Sequence, residues 1–201
     1  MSVPRSSLAL QIDAIVTNAI AERIFPGAVE LVALGDTILH HAGYGGTVYD
    51  LDRARLVTPN TLYDIASLTK MVTATAALRL LDAGLLDLDA PAARYLPELQ
   101  ASAVLLRHLL THTSGLDIRL SALRDAGRER LWQTVYALTP AHPPASRVAY
   151  TNVNSLLLGE IVARVSGLPL EQALAELVSE PLGLRDTQFC PPAGLLDRIA
   201  P

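Results

Sequence analysis

Apolar side chains at Leu8, Ile12, Ile15, Val16, Ala19 and Ile20 recur at the spacing of one helical face, and Pro26-Gly27 closes the run. This predicts a helix from Ser7 to about Arg23. The next apolar segments, AVELVAL and TILHHAGYG, are short and separated only by Gly35-Asp36, the chemistry of a tight hairpin turn. GTVYDLDRARLVTPNT is polar and ends in Thr58-Pro59-Asn60, which predicts a surface connection. From Ala66 to Ala83 only Lys70, Arg79 and Asp82 are charged, so a helix buried nearly all round is expected, with Gly84 as its stop. Shorter helical turns follow. DLDAPAARYLPEL has Asp89 as a cap and Pro91 near the first helical position, and VLLRHLLTHTSGL is stopped by Gly115. DIRLSALRDAGRERLWQTVYAL is helical in period with one solvated face, and TPAHPPASR is a proline-stiffened loop. Helix resumes from Asn154 to Val165, and a last one begins near Pro169 and ends at Pro181 and Gly183.

The order is helix, hairpin, then a series of helices, an α+β inventory. It divides into residues 1–60, carrying the first helix and hairpin, and residues 61–201, mainly helical. A hairpin alone is marginal in water and leaves two open edges, so further strands are expected beside it.

Composition narrows the class. Half of the 201 residues are apolar, enough for one good core or two small lobes. The net charge is −4, the arginines are scattered and aromatic residues are 4%, which speaks against a nucleic-acid surface. The single cysteine, Cys190, excludes an internal disulfide framework. Gln11, Asp13 and Asn18 interrupt the apolar N-terminal stretch where a signal peptide would be continuous, and no window holds eighteen uninterrupted apolar residues. The expectation is a cytoplasmic protein without a membrane span.

The candidate chemistry begins at Ser67-Leu68-Thr69-Lys70. Of the 16 basic residues 15 are arginines, so Lys70 is the only lysine. At the start of a helix, positions i and i+3 share a face, which brings the Ser67 hydroxyl and the Lys70 amine together. A serine needs a base to attack. An amine can accept a proton when its surroundings favour the neutral form, whereas guanidinium stays protonated. This explains why an amine is kept here alone. The second element is Tyr150-Thr151-Asn152, in a loop before a helix. A phenol beside an ammonium ionises more readily, so Tyr150 is placed to relay a proton and Asn152 to orient a substrate amide. The plainer alternative is that Tyr150 packs and Asn152 caps the helix. His108 and His112 stand at i and i+4, a metal-ligand spacing, but lack a third ligand, and no cofactor is called for. His40 and His41 face opposite sides of a strand, and Trp132 and Arg128 fit core or surface roles as well as a cleft.

Four segments, LYDIASLTKMVTATAALRLLDAGLLDLDAPAARYLPEL, LLRHLLTHTSGL, HPPASRVAYTNVNSLLLGEIVARVSGLPL and EPLGLRDTQF, together resemble the serine β-lactamase-related proteins of the class C type, whose relatives include D-alanyl-D-alanine peptidases and esterases. The resemblance runs from about Phe25 onward. It implies a β-lactamase/transpeptidase-like fold, with Ser67 as acylated nucleophile, Lys70 and Tyr150 in proton transfer and Asn152 on the substrate. The family's third motif, Lys/His-Thr/Ser/x-Gly, on a strand that supplies the second oxyanion N–H, has no match after Phe189, and the letters HAG at His41–Gly43 precede the serine. The expectation is therefore the N-terminal portion of a longer, truncated fold. Losing one oxyanion donor costs about 3 kcal/mol of transition-state stabilisation, so activity is expected to be weak or nil. Two functions follow: an acyl-enzyme hydrolase of a small-molecule ester, β-lactam or D-Ala peptide, or an incompetent remnant. The remnant would pair with a complementary C-terminal fragment or with itself. Ala145 stands where the family often has glycine, in a loop whose turn geometry that choice affects.

Overall fold

The computed structural model describes residues 7–50, 52–123 and 125–201, arranged as two compact units. One unit runs to Ile65 and takes in Cys190–Pro201, and the other is Ala66–Phe189. The division thus differs from the sequence-based one at residue 60. The last twelve residues join the first unit through main-chain bonds, Leu62 N–H to Arg198 O at 2.7 Å and Ala200 N–H to Leu62 O at 2.8 Å.

In the first unit, α1 (Ser7–Ala21) packs on an antiparallel hairpin of β1 (Gly27–Leu34) and β2 (Thr37–Gly45). Gly35 turns the chain at φ +55°, a conformation in which a Cβ is costly. These are the only two strands among the described residues. Helix and hairpin are tied by polar contacts: the Tyr44 hydroxyl donates to Asp13 at 2.7 Å and lies 2.6 Å from His40 Nε2, which is 3.4 Å from Glu30 Oε2. The segment after β2 is more than a surface connection. Val57 is 2% exposed, its N–H reaches Gly45 O at 3.0 Å, and Thr47 is also buried. A Cβ at Gly43 would sit 2.5 Å from Val57 O, so this segment closes on the strand only because glycine is there.

The second unit is built around α2 (Thr69–Asp82), preceded by a 3₁₀ turn at Ala66–Leu68 and packed against α5 (Asn152–Ser166) and α6 (Leu170–Leu174), which continues as a π-turn over Ala175–Ser179. α3 (Leu106–Leu110) packs on α5, and α4 (Gly127–Tyr136) follows a 3₁₀ turn at Leu120–Leu123. The core joins Ala76, Ala77 and Leu80 of α2 to Leu96, Leu109, Val135, Leu157 and Ile161. Each fully buried leucine contributes about 1.5–3 kcal/mol relative to exposure. α2 is not buried all round. Thr73, Ala76, Ala77 and Leu80 form its inner face, while Met71 and Leu78 are exposed, because a run of small apolar residues has no polar face to mark which side is covered.

Two boundary expectations also change. Asp89 does not cap the Ala92–Arg94 turn: Pro91 holds the N-cap position, and the Asp89 carboxylate pairs with Arg107. α3 ends at Leu110, before Gly115, because His112 turns out of the helix at φ +55°. Arg164 Nη1 donates to both carboxylate oxygens of Glu98 (3.1 and 2.8 Å), Nε to Glu160 at 2.8 Å and Nη2 to the Tyr136 hydroxyl at 2.9 Å, which ties α5 to α4 and to the 92–99 segment. No single helix among the described residues is long and apolar enough to cross a membrane.

Candidate active site

Ser67 lies in the 3₁₀ turn that opens α2, and Lys70 lies one turn on. Ala66 holds φ +44°, an uncommon value for alanine, and so reorients the chain immediately before the serine. The i, i+3 spacing then brings Lys70 Nζ to 3.0 Å from Ser67 Oγ. The ammonium also sits 5.0 Å from the centre of the Tyr150 ring. Hydrogen bonding to Lys70, and secondarily to Ser67, holds the Tyr150 phenol below its ordinary value of 10.0. Serine, lysine and tyrosine therefore form one cluster, with a hydroxyl to attack and two groups through which its proton can leave. Tyr150 is 62% exposed, so the phenol faces solvent rather than packing in the core.

Asn152 is also exposed and is the first residue of α5. It does not cap the helix: Thr151 holds the N-cap position, no side chain caps it, and the buried Thr151 hydroxyl donates to Leu116 O at 3.3 Å. The Asn152 side chain is thus exposed two residues after Tyr150. Beneath the cluster lies a cavity of about 200 Å³, lined by Lys70, His112 and Ser155 at its polar end and by Met71, Ala74, Leu109, Leu110 and Leu158 elsewhere.

Neither histidine of the i, i+4 pair is arranged for metal. His108 Nδ1 accepts the Leu105 N–H at 3.1 Å across the start of α3. His112 Nδ1 lies 3.4 Å from the Thr151 N–H and 3.2 Å from Asn154 Nδ2. No group of three or more ligating side chains among the described residues is placed to hold a metal ion. His40 serves the contact between α1 and the hairpin; Trp132 stacks on Tyr136 at 5.2 Å and packs against the core, and Arg128 is exposed.

Beside Tyr150 stands a set that the sequence does not mark as part of the site: the half-buried His112, which spacing offered only as a metal ligand, and the buried Ser114 and Asn154. Ser114, 0% exposed, donates to Asn154 Oδ1 at 2.6 Å and accepts the Leu116 N–H at 3.0 Å. Asn154, 1% exposed, spends its amide on His112. The signal available was Asn154 two positions after Asn152, at the start of a helix whose other inward positions are apolar. Such an asparagine needs partners, since burying an unpaired amide is costly.

Comparison with known proteins agrees with this architecture. The chain is 35% identical to Esterase EstB of Burkholderia gladioli over 94% of its length and 53% of that protein. It is 33% identical to the D-alanyl-D-alanine-carboxypeptidase/endopeptidase AmpH of Escherichia coli over 63% of its length and 36% of that protein. Among solved structures, a class C β-lactamase superposes with a TM-score of 0.89 at 26% identity, and EstCE1, a hydrolase with promiscuous acyltransferase activity, with 0.85 at 27%. Each match covers 99% of this chain but only 56% and 57% of the other. The chain spans about half the length of the first curated relative, and its helix, two-stranded sheet and helical region correspond to that part of the β-lactamase fold. With residues 12–200 matching the family model described as Beta-lactamase, the chain belongs to the β-lactamase family.

Proposed function

We propose that this chain is built for acyl transfer through Ser67, with a small-molecule ester as the favoured substrate and β-lactam or D-Ala peptide carbonyls as the broader class. The observation that carries this reading is the contact of Ser67 Oγ with the sole lysine amine at 3.0 Å beside a phenol held below its ordinary pKa. Ser67 Oγ bonds to the carbonyl carbon while its proton passes to the Lys70–Tyr150 pair. The tetrahedral adduct collapses, the bond to the leaving group breaks, and the departing oxygen or nitrogen takes that proton. Water then attacks the acyl-serine, releasing the acid and restoring the hydroxyl. Asn152, exposed two residues after Tyr150, contacts the substrate. The apolar cavity favours an uncharged acyl substituent, and the likeness to a protein named as an esterase points the same way.

A second reading is favoured by one observation: Leu68, just before α2, and Met71 and Leu78 on it stand exposed as an apolar stripe. On that reading the folded chain does not turn over, and a complementary segment or a second copy covers that stripe. Intact-mass analysis after incubation with a fluorophosphonate or penicillin separates the two. Acylation predicts a single adduct on Ser67, absent in Ser67→Ala and in Lys70→Arg. A folded chain that stays unmodified would refute it.

A further inference from the structure

His112 joins the two halves of the Tyr150 loop. Its carbonyl accepts the Ala149 N–H at 2.8 Å, one residue before Tyr150, and its Nδ1 faces the Thr151 N–H, one residue after. Between these two contacts its ring lies against the phenol in a tilted arrangement, with centroids 4.8 Å apart and planes at 37°. The Lys70 ammonium lies 5.0 Å from the centre of the same ring, and the phenol hydrogen-bonds to Lys70 and Ser67. With most of the phenol in solvent, its direction is set by these partners.

The ring nitrogen has a defined role. The Thr151 main-chain N–H can only donate, so Nδ1 is the acceptor and the imidazole is the neutral Nε2–H tautomer. The Asn154 amide agrees: its Oδ1 is committed to the Ser114 hydroxyl, which leaves Nδ2–H to donate to the same Nδ1. The titratable groups that face the imidazole are Lys70 from α2 and Tyr150 from the loop, while α5 presents the uncharged Asn154 and Ser155. Burial, and then the charge of Lys70, favour the neutral ring that this acceptor role requires. His112 also holds φ +55°, a left-handed conformation that is uncommon for a residue with a side chain and that turns the ring away from the α3 face.

We propose that His112 is a positioning residue for Tyr150: its ring face and its Nδ1 acceptor together aim the phenol at Lys70 and Ser67. The inference rests on the acyl-transfer reading for its consequence in turnover, but the placement of the phenol is testable by itself. A phenylalanine at 112 keeps a ring and removes the acceptor. An asparagine keeps an acceptor, tolerates positive φ and removes the ring.

The experiment uses the full chain in wild-type, His112→Asn and His112→Phe forms, each with a matched Tyr150→Phe control, after circular dichroism shows that they are folded. Ultraviolet difference titration of each form against its control reads the ionisation of Tyr150 alone. The rate at which a fluorophosphonate labels Ser67 is read in parallel. The expected result is that Tyr150 titrates closer to an ordinary tyrosine in both variants, and that labelling slows by about tenfold or more. A Tyr150 titration unchanged in both variants overturns the proposal. If the titration moves while even the wild type takes no label, the placement role stands and the acylation reading falls.

Discussion

Replacing Asn154 by leucine tests the buried scaffold behind the site. The side chains are close in volume, so the main effect is on hydrogen bonds rather than packing. The Ser114 hydroxyl, 0% exposed, loses its acceptor at 2.6 Å, and an orphaned donor at such a position costs about 1–3 kcal/mol. His112 Nδ1 loses its contact at 3.2 Å and keeps only the longer one from Thr151 at 3.4 Å, a further loss of about 0.5–1 kcal/mol. The sum, about 1.5–4 kcal/mol, is a large part of the stability of a domain this size. Urea unfolding followed by circular dichroism measures it as a fall in midpoint at constant slope. A double-mutant cycle with Ser114→Ala makes the attribution specific. The two sites share one bond, so their effects should fall short of adding by about 1–2 kcal/mol, with the Leu116 N–H left unpaired in both Ser114 variants. An Asn154→Leu protein within 0.5 kcal/mol of wild type, or strict additivity in the cycle, would refute the reasoning.

Tyr150→Phe should slow fluorophosphonate labelling of Ser67 by about 10²–10⁴ and leave the urea midpoint nearly unchanged, since the phenol is largely exposed. Because Lys70 holds that phenol below its ordinary value, the wild-type labelling rate should rise with pH and level off below pH 10, a limb that the phenylalanine variant lacks. Ala145 has φ +64°, where alanine is strained, so Ala145→Gly should stabilise the chain by about 0.5–1 kcal/mol, read as a higher melting temperature. Gly115→Ala should destabilise by about 2–3 kcal/mol, because at φ +76° the new Cβ lands 2.4 Å from His142 O, and loop fluctuations should then appear in hydrogen exchange at Ala141, whose N–H bonds Gly115 O. The Arg164 guanidinium holds the Glu98 carboxyl below its ordinary value, so that pairing stabilises above the ordinary carboxylate pKa and is lost as pH falls through the lowered one. Glu98 is half exposed, so Glu98→Gln should cost less than about 1 kcal/mol at pH 7, and the gap in urea midpoint should close as pH falls below the ordinary carboxylate range.

The site and the fold were legible in the sequence to different depths, for physical reasons. The Ser67–Lys70 contact depends on helical spacing and on the difference between an amine and a guanidinium, both local properties, and it is realised at 3.0 Å. The hairpin was equally local: Gly35-Asp36 between two apolar runs leaves few alternatives, and the strands run from Gly27 and to Gly45. What escaped was what distant segments do to one another. The exposed stripe on α2 could not be read from a helix with only three charges, because burial is decided by neighbours and not by composition. The buried Val57 could not be read either, since it rests on a close approach to Gly43 across fourteen positions. His112 illustrates the same limit at the site. By spacing it pairs with His108 four residues before, which suggests metal, yet the two rings spend their Nδ1 atoms on different partners. The helix stops at Leu110, His112 turns to positive φ, and the ring leaves the face that the i, i+4 rule assigned to it. Its partners Tyr150, Thr151 and Asn154 come from about forty residues downstream, so the role of His112 becomes visible only when Ser114 and Asn154 lock the two segments together.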